Sequence, residues 1–214
     1  MNLSLSDTRS CTLGQIINCV RVKLFTSKFS PHLSDVTEHK SPNWNAVTGL
    51  VSELKRCDEY GITGASIAMA FVCIDTLAGL ARPEGKVQVT RSDFISWVDT
   101  YLEADDEQPY QYRGKDVYAA RCALLHTYGV ESAGHSADPD TKKFGYNDGG
   151  KHYYNSEVDS SLVIIGTKSF INDVILGVES FTQVCVQDLE LRSRVEPRLD
   201  HVLDMAPFPN NGPC

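Results

Sequence analysis

Apolar residues between positions 44 and 60 fall at Trp44, Val47, Leu50, Val51 and Leu54, the one-sided spacing of an amphipathic helix, and Gly61 supplies a stop. Positions 64–81 follow another rule. There Ile67, Ala68, Phe71, Val72, Ile74, Leu77, Ala78 and Leu80 cover most of a helical circumference, as expected of a central helix packed on several sides, and Pro83 ends it. Thr90-Arg91-Ser92-Asp93 offers a capping sequence, after which Phe94, Ile95, Trp97, Val98, Tyr101 and Leu102 trace one face of a third helix. A fourth is predicted over 116–128, with Asp116 near the exposed amides of its first turn and Gly129 just past its end. Phe170, Ile171, Val174, Ile175, Val178, Phe181 and Cys185 predict one long last helix that reaches toward Arg194 and is limited by Pro197.

Between the fourth and last helices the period changes. Segments 142–146 and 151–155 flank Asn147-Asp148-Gly149-Gly150, residues that tolerate positive φ, so a β-hairpin is expected there, with 161–165 adding a short strand. Segment 13–25 reads as a short helix, 27–42 and 131–140 as loops, and 205–214 as a loose tail. The expected fold is therefore mainly α: a bundle of four to five helices with a small β-hairpin before the last one. Its domain would span 63–196, with 1–62 as an N-terminal extension packed on the bundle and 197–214 as a flexible tail.

Composition narrows the function classes. A hydrophobic fraction of 42% and a charged fraction of 22% are those of an ordinary globular chain. No stretch reaches the roughly eighteen uncharged apolar residues of a membrane span, since 65–81 is interrupted by Asp75, and the first ten residues lack the pattern of a secretory signal. A cytoplasmic protein with no membrane partner is expected. The seven cysteines contain no C-x-x-C pair and read as reduced, small hydrophobic residues. A net charge of −8 disfavours indiscriminate binding to polyanions, so any nucleic-acid site must be local. The acidic run Asp99, Glu103, Asp105, Asp106 and Glu107 reads as a solvated loop. Neither a G-x-S-x-G nor a G-x-x-x-x-G-K-[ST] string occurs, which removes the usual signals of serine hydrolases and nucleotide-binding loops.

Two features carry chemistry. Asp75 lies mid-helix among apolar residues, where an ionised carboxylate is costly without partners. The fourth helix reads Tyr118-Ala-Ala-Arg121-Cys122-Ala-Leu-Leu-His126, placing Arg and His five positions apart, about 140° around the axis and roughly 7.5 Å along it. A long arginine can curl toward the imidazole, so both groups can border one cleft. This motif, preceded by a helix with a mid-helix acid and one of the Phe94-x-x-Trp97-Val98-x-x-Tyr101-Leu102 kind, resembles the HEPN superfamily, a set of helical, nucleotide-binding bundles. The likeness covers about 64–194. It implies a metal-independent endoribonuclease, without cofactor, that pairs as a homodimer through its motif helices, with Arg121, His126 and Asp75 catalytic and RNA as substrate. It also implies a place in a toxin–antitoxin or defence system, with an antitoxin or other protein as partner. Cys122 departs from the Asn, Asp or His that commonly follows the arginine in active members.

On that reading His126 takes the proton of a ribose 2′-hydroxyl, Arg121 holds two phosphate oxygens, and Asp75 orients one of them. Tyr118 and Tyr128 would stack on a base, and Lys115 would join Arg113, Lys142, Lys143 and Lys151 in a basic rim. Each has a plainer reading. The tyrosines can be core, Asp116, Asp138, Asp140 and Asp148 offset the rim, and His126, His135 and His152 lack any recognised metal-ligand spacing. Asp75 and Arg121 can equally form a structural ion pair, with His126 bonded to a backbone carbonyl, in a non-catalytic module that binds nucleotide, RNA or protein. Exposure of the site separates the two.

Overall fold

The computed structural model describes residues 41–203; the helix expected over 13–25, most of the loop after it and the tail lie outside the described residues. Helix α1 (Asn45–Glu59) buries Ala46, Val47, Val51 and Leu54, and Gly61 at φ 68° turns the chain into α2 (Thr63–Ala81). Helix α2 is the centre of the molecule. Its buried Ile67, Ala70, Phe71, Ile74, Leu77 and Leu80 face α1, α3 (Arg91–Tyr101), α4 (Gly114–Thr127), α6 (Thr167–Gln187) and α7 (Leu189–Leu199). By length and composition alone α2 is long and apolar enough to cross a membrane, so the sequence expectation that no stretch comes near was too strict. Its packing against five neighbouring helices accounts for that apolarity.

Helix α3 opens on the expected capping box, with Asp93 accepting the Thr90 N–H at 2.7 Å, and buries Phe94, Trp97 and Val98. Asp99 leaves the acidic run for a structural task. It accepts the Gly114 N–H at 2.6 Å and so caps α4, while a Cβ on Gly114 would stand 2.6 Å from the Ile95 carbonyl oxygen. Only glycine lets α4 start this close to α3. Two residues on, Asp116, fully buried, accepts hydrogen bonds from Tyr110 Oη at 2.8 Å, Arg113 Nε at 2.6 Å and Nη2 at 3.0 Å, and Lys142 N at 2.8 Å.

The left-handed residue that ends α4 is Tyr128, at φ 50°, rather than Gly129. Its N–H reaches Leu124 O at 2.9 Å, and its hydroxyl occupies the space where a side chain on Gly64 would stand. A β-carbon in this conformation costs about 1–2 kcal/mol. Tyr128 is 75% exposed, so little packing offsets that strain. Tyr128→Gly should therefore stabilise the fold by about 0.5–1 kcal/mol in denaturant titrations. An unchanged or lower midpoint would mean that the ring's contact with Gly64 outweighs the backbone strain.

The predicted hairpin does not form. β1 (Lys143–Asn147) pairs in parallel with β2 (Leu162–Gly166), in the register Lys143 to Leu162 through Asn147 to Gly166. A turn is present where expected, with Asn147 Oδ1 accepting the Gly149 N–H at 2.7 Å. The chain leaving it is drawn into the interior by buried His152, and only Tyr153 pairs, antiparallel to Ile164. β2, the most β-branched run of the three, takes the middle place. The loop expected over 131–140 contains a short helix, α5 (Ala133–Ala137).

The single long last helix is two. Asp188 breaks it by capping α7, its Oδ1 accepting from Glu190 N at 2.9 Å and Leu191 N at 3.0 Å. Pro197 lies inside α7 rather than ending the helical region, and Leu199 is buried. Arg198 fixes α7 to the end of α2 by donating to Leu80 O at 2.7 Å, a last-turn carbonyl that the helix leaves without a partner, and to Pro83 O at 3.1 Å just beyond it.

Candidate functional site

α2 contributes Asp75 and α4 contributes Arg121 and His126 to one point on the surface. Arg121 Nε donates to Asp75 Oδ2 at 2.7 Å, and Nη2 lies 2.7 Å from the same oxygen. The third nitrogen, Nη1, points the other way, 3.5 Å from His126 Nε2 and 4.0 Å from Cys122 Sγ. The angular offset between positions 121 and 126 is thus bridged by the reach of the arginine. Side-chain exposures of 23% for Arg121 and 25% for Asp75 leave the pair open to solvent, and His126 is exposed. Its partner is the guanidinium, not a backbone carbonyl.

Burial lifts the Asp75 carboxyl above the ordinary range, against the pull of the Arg121 hydrogen bond and charge and of nearby His126. For Arg121 burial opposes the charge, but the Asp75 hydrogen bond and charge overcome it and hold the guanidinium above its ordinary range. The outcome is an always-charged fork with two nitrogens braced by a carboxylate and one directed toward a histidine in an accessible cleft.

The three residues expected to bind substrate are dispersed. Tyr118 meets the Phe94 ring in a T-shaped contact at 5.4 Å between centroids and lies beneath the Arg91 guanidinium at 5.5 Å, so one of its faces is taken by a cation. Tyr128 lies beyond the helix end with its hydroxyl at Gly64. Lys115 is held by Asp138 at 3.0 Å and Asp140 at 2.7 Å, near the opposite end of α4. Arg113 is likewise bound to Asp116 and Asp140, Lys142 lies 3.7 Å from Asp140, and Lys143 is bound to Glu131, so four of the five rim cations are paired with acids.

The histidines weighed as a metal set are committed separately. His135 Nδ1 accepts the Ser132 N–H at 2.9 Å, which leaves Nε2 to donate to Lys142 O at 3.1 Å. His152 Nδ1 accepts the Gly166 N–H at 3.0 Å. Among the described residues no three His, Cys, Asp or Glu side chains are grouped to hold a metal. Cys57, Cys73, Cys122 and Cys185 are free, and burial pushes the Cys73 and Cys185 thiols up to about 12, which leaves them inert.

A second polar cluster was not foreseen. With Nδ1 of His152 accepting, Nε2 carries the proton and donates to Tyr112 Oη at 2.9 Å, and that hydroxyl donates to Asp173 Oδ2 at 2.9 Å. Asp173, only 6% exposed, lies at the wall of a cavity of about 920 Å³ between α3, the 103–108 loop and α6. Burial, against the Tyr112 hydrogen bond and with Asp105 adding to it, raises its carboxyl to about 6. The sequence held the same signal as Asp75, an acid inside an apolar helical face. Because the folded value exceeds the unfolded one, Asp173 favours the fold fully below about pH 4 and loses that contribution as pH rises through about 6. Asp173→Asn keeps an acceptor for Tyr112 and should flatten this fall, raising stability at pH 7.5 by at most about 3 kcal/mol relative to wild type. Parallel unfolding curves for the two proteins from pH 4 to 8 would refute it.

Comparison of the chain with protein-family models, with curated proteins and with solved structures finds no significant match. The functional reading therefore rests on the residues themselves.

Proposed function

We propose that the protein is a HEPN-like, metal-independent endoribonuclease whose centre is Asp75, Arg121 and His126. The observation that carries this reading is the free Nη1 edge of Arg121 facing His126 across 3.5 Å in a solvent-open cleft. Internal transesterification of RNA needs a base at the 2′-hydroxyl and a fixed cation at the phosphate, both within reach of one phosphodiester. His126 supplies the base. Arg121 supplies the cation, and Asp75 holds its fork in place from behind.

Pairing of two motif helices in a homodimer would place two such centres together, and a toxin–antitoxin or defence role in the cytoplasm, with a restraining protein partner, belongs to the same proposal. Incubating the purified protein with single-stranded RNA and a chelator tests it. Products ending in a 2′,3′-cyclic phosphate are expected, and intact RNA at every protein concentration would overturn the reading.

One observation favours a second reading. Arg121 makes its two shortest contacts with Asp75, so the motif also serves as an interhelical brace, as a non-catalytic RNA- or protein-binding module would require.

A further inference from the structure

Beside His126 the surface falls into a groove of about 490 Å³ between α4 and α5, within the range of roughly 300–1,000 Å³ usual for small-ligand sites. One wall is Tyr118, Cys122 and His126, and the other is formed by the Glu131–Ala137 stretch. The groove is open because small residues meet at its floor: a Cβ on Gly134 would lie 3.3 Å from that of Ala119. Arg91 stands at the rim, exposed, its guanidinium over the Tyr118 ring, and makes no ion pair among the described residues. Glu131, the acid of the groove, is bound to Lys143. An acidic protein thus presents here a local cleft whose unneutralised charge is a cation.

On the face of Tyr118 that Arg91 occupies, the guanidinium and not the phenol ring is what meets a ligand. The outer face of the Arg91 guanidinium is free, and a planar guanidinium backed by an aromatic ring is a stacking surface for nucleobases. His126 belongs both to this groove and to the Arg121 cluster, so a phosphate held by Arg121 and His126 places the neighbouring base at the groove's mouth. The geometry points to a nucleobase site between α4 and α5, with Arg91 as its stacking residue, for a single-stranded RNA. This inference rests on the nuclease reading.

The test uses the full chain and a short labelled single-stranded RNA with 2′-O-methyl riboses, which leave no 2′-hydroxyl to attack so that bound RNA is not consumed, alongside the same strand made abasic. The intact strand should bind about tenfold tighter than the abasic one. Arg91→Ala should erase the difference, as should Ala137→Phe, which fills the groove from an exposed position. Arg91→Lys should erase it too, because lysine keeps the charge but has no flat face. Equal binding of the two strands, or an unchanged ratio in the Arg91 variants, overturns the base site. If wild-type protein still cuts RNA in that case, the nuclease reading stands alone. If neither strand is bound and unmodified RNA is not cut, both fall.

Discussion

Replacing His126 with alanine should lower chelator-resistant RNA cleavage by about a thousandfold, within the range usual for loss of a general base, while leaving thermal stability nearly unchanged. The second half of this expectation follows from placement. His126 is exposed in the last turn of α4, and its one side-chain contact is the long one to Arg121. Arg121→Ala should behave differently. It removes the phosphate ligand, worth about a hundredfold or more, and also strips the half-buried Asp75 of its partner, at a cost to the fold of about 1–2 kcal/mol. The brace reading differs for His126 in the rate alone, since a histidine outside the chemistry leaves the rate unchanged. Equal rates for wild type and His126→Ala would therefore remove the histidine from the mechanism, whatever Arg121 does.

The parts of this molecule legible in the sequence are those set by local periodicity. The apolar stripe of α1, the all-round burial of α2 and the capping box of α3 are properties of a few consecutive turns, and the structure has them where the pattern puts them. The juxtaposition of Asp75 with Arg121 was approachable for a related reason: a carboxylate in an apolar helix demands a cation, and few are near. What the pattern missed depends on distant partners. Asn147-Asp148-Gly149-Gly150 is a sound turn, but strand pairing is decided by His152, whose hydrogen bonds reach Gln108, Tyr112 and Gly166. Asp188 reads as one more polar residue on a helix surface until its side chain is seen to cap the next helix. Arg91 looks like a helix-start residue, and only the fold brings it over Tyr118.

Loss of Asp116 should be as damaging as the loss of a core aromatic, with Asp116→Ala lowering stability by about 3 kcal/mol or more. In sequence Asp116 looks like a first-turn acid placed for the helix dipole. In the structure it turns inward, with no exposed surface, and satisfies four donors from two separate segments: the Tyr110 hydroxyl and two nitrogens of Arg113 from one, and the Lys142 amide from the other. These bonds join the loop before α4, the helix itself and the entry to β1. Alanine would leave the Tyr110 hydroxyl and the Lys142 amide without an acceptor, and unmet groups of this kind cost about 1–3 kcal/mol each when buried. Arg113 would lose less, because it is partly exposed and keeps Asp140. Asp116→Asn retains one acceptor oxygen but sets an amide against the guanidinium, so it should rescue only part of the loss. Since a domain of this size is stable by roughly 5–15 kcal/mol, the alanine variant should unfold at clearly lower denaturant. Its β1 amides should also exchange faster than those of α2, because the bonds removed hold the edge of the fold and not its centre. A midpoint within experimental error of wild type would show that water replaces the carboxylate and that Asp116 is no brace.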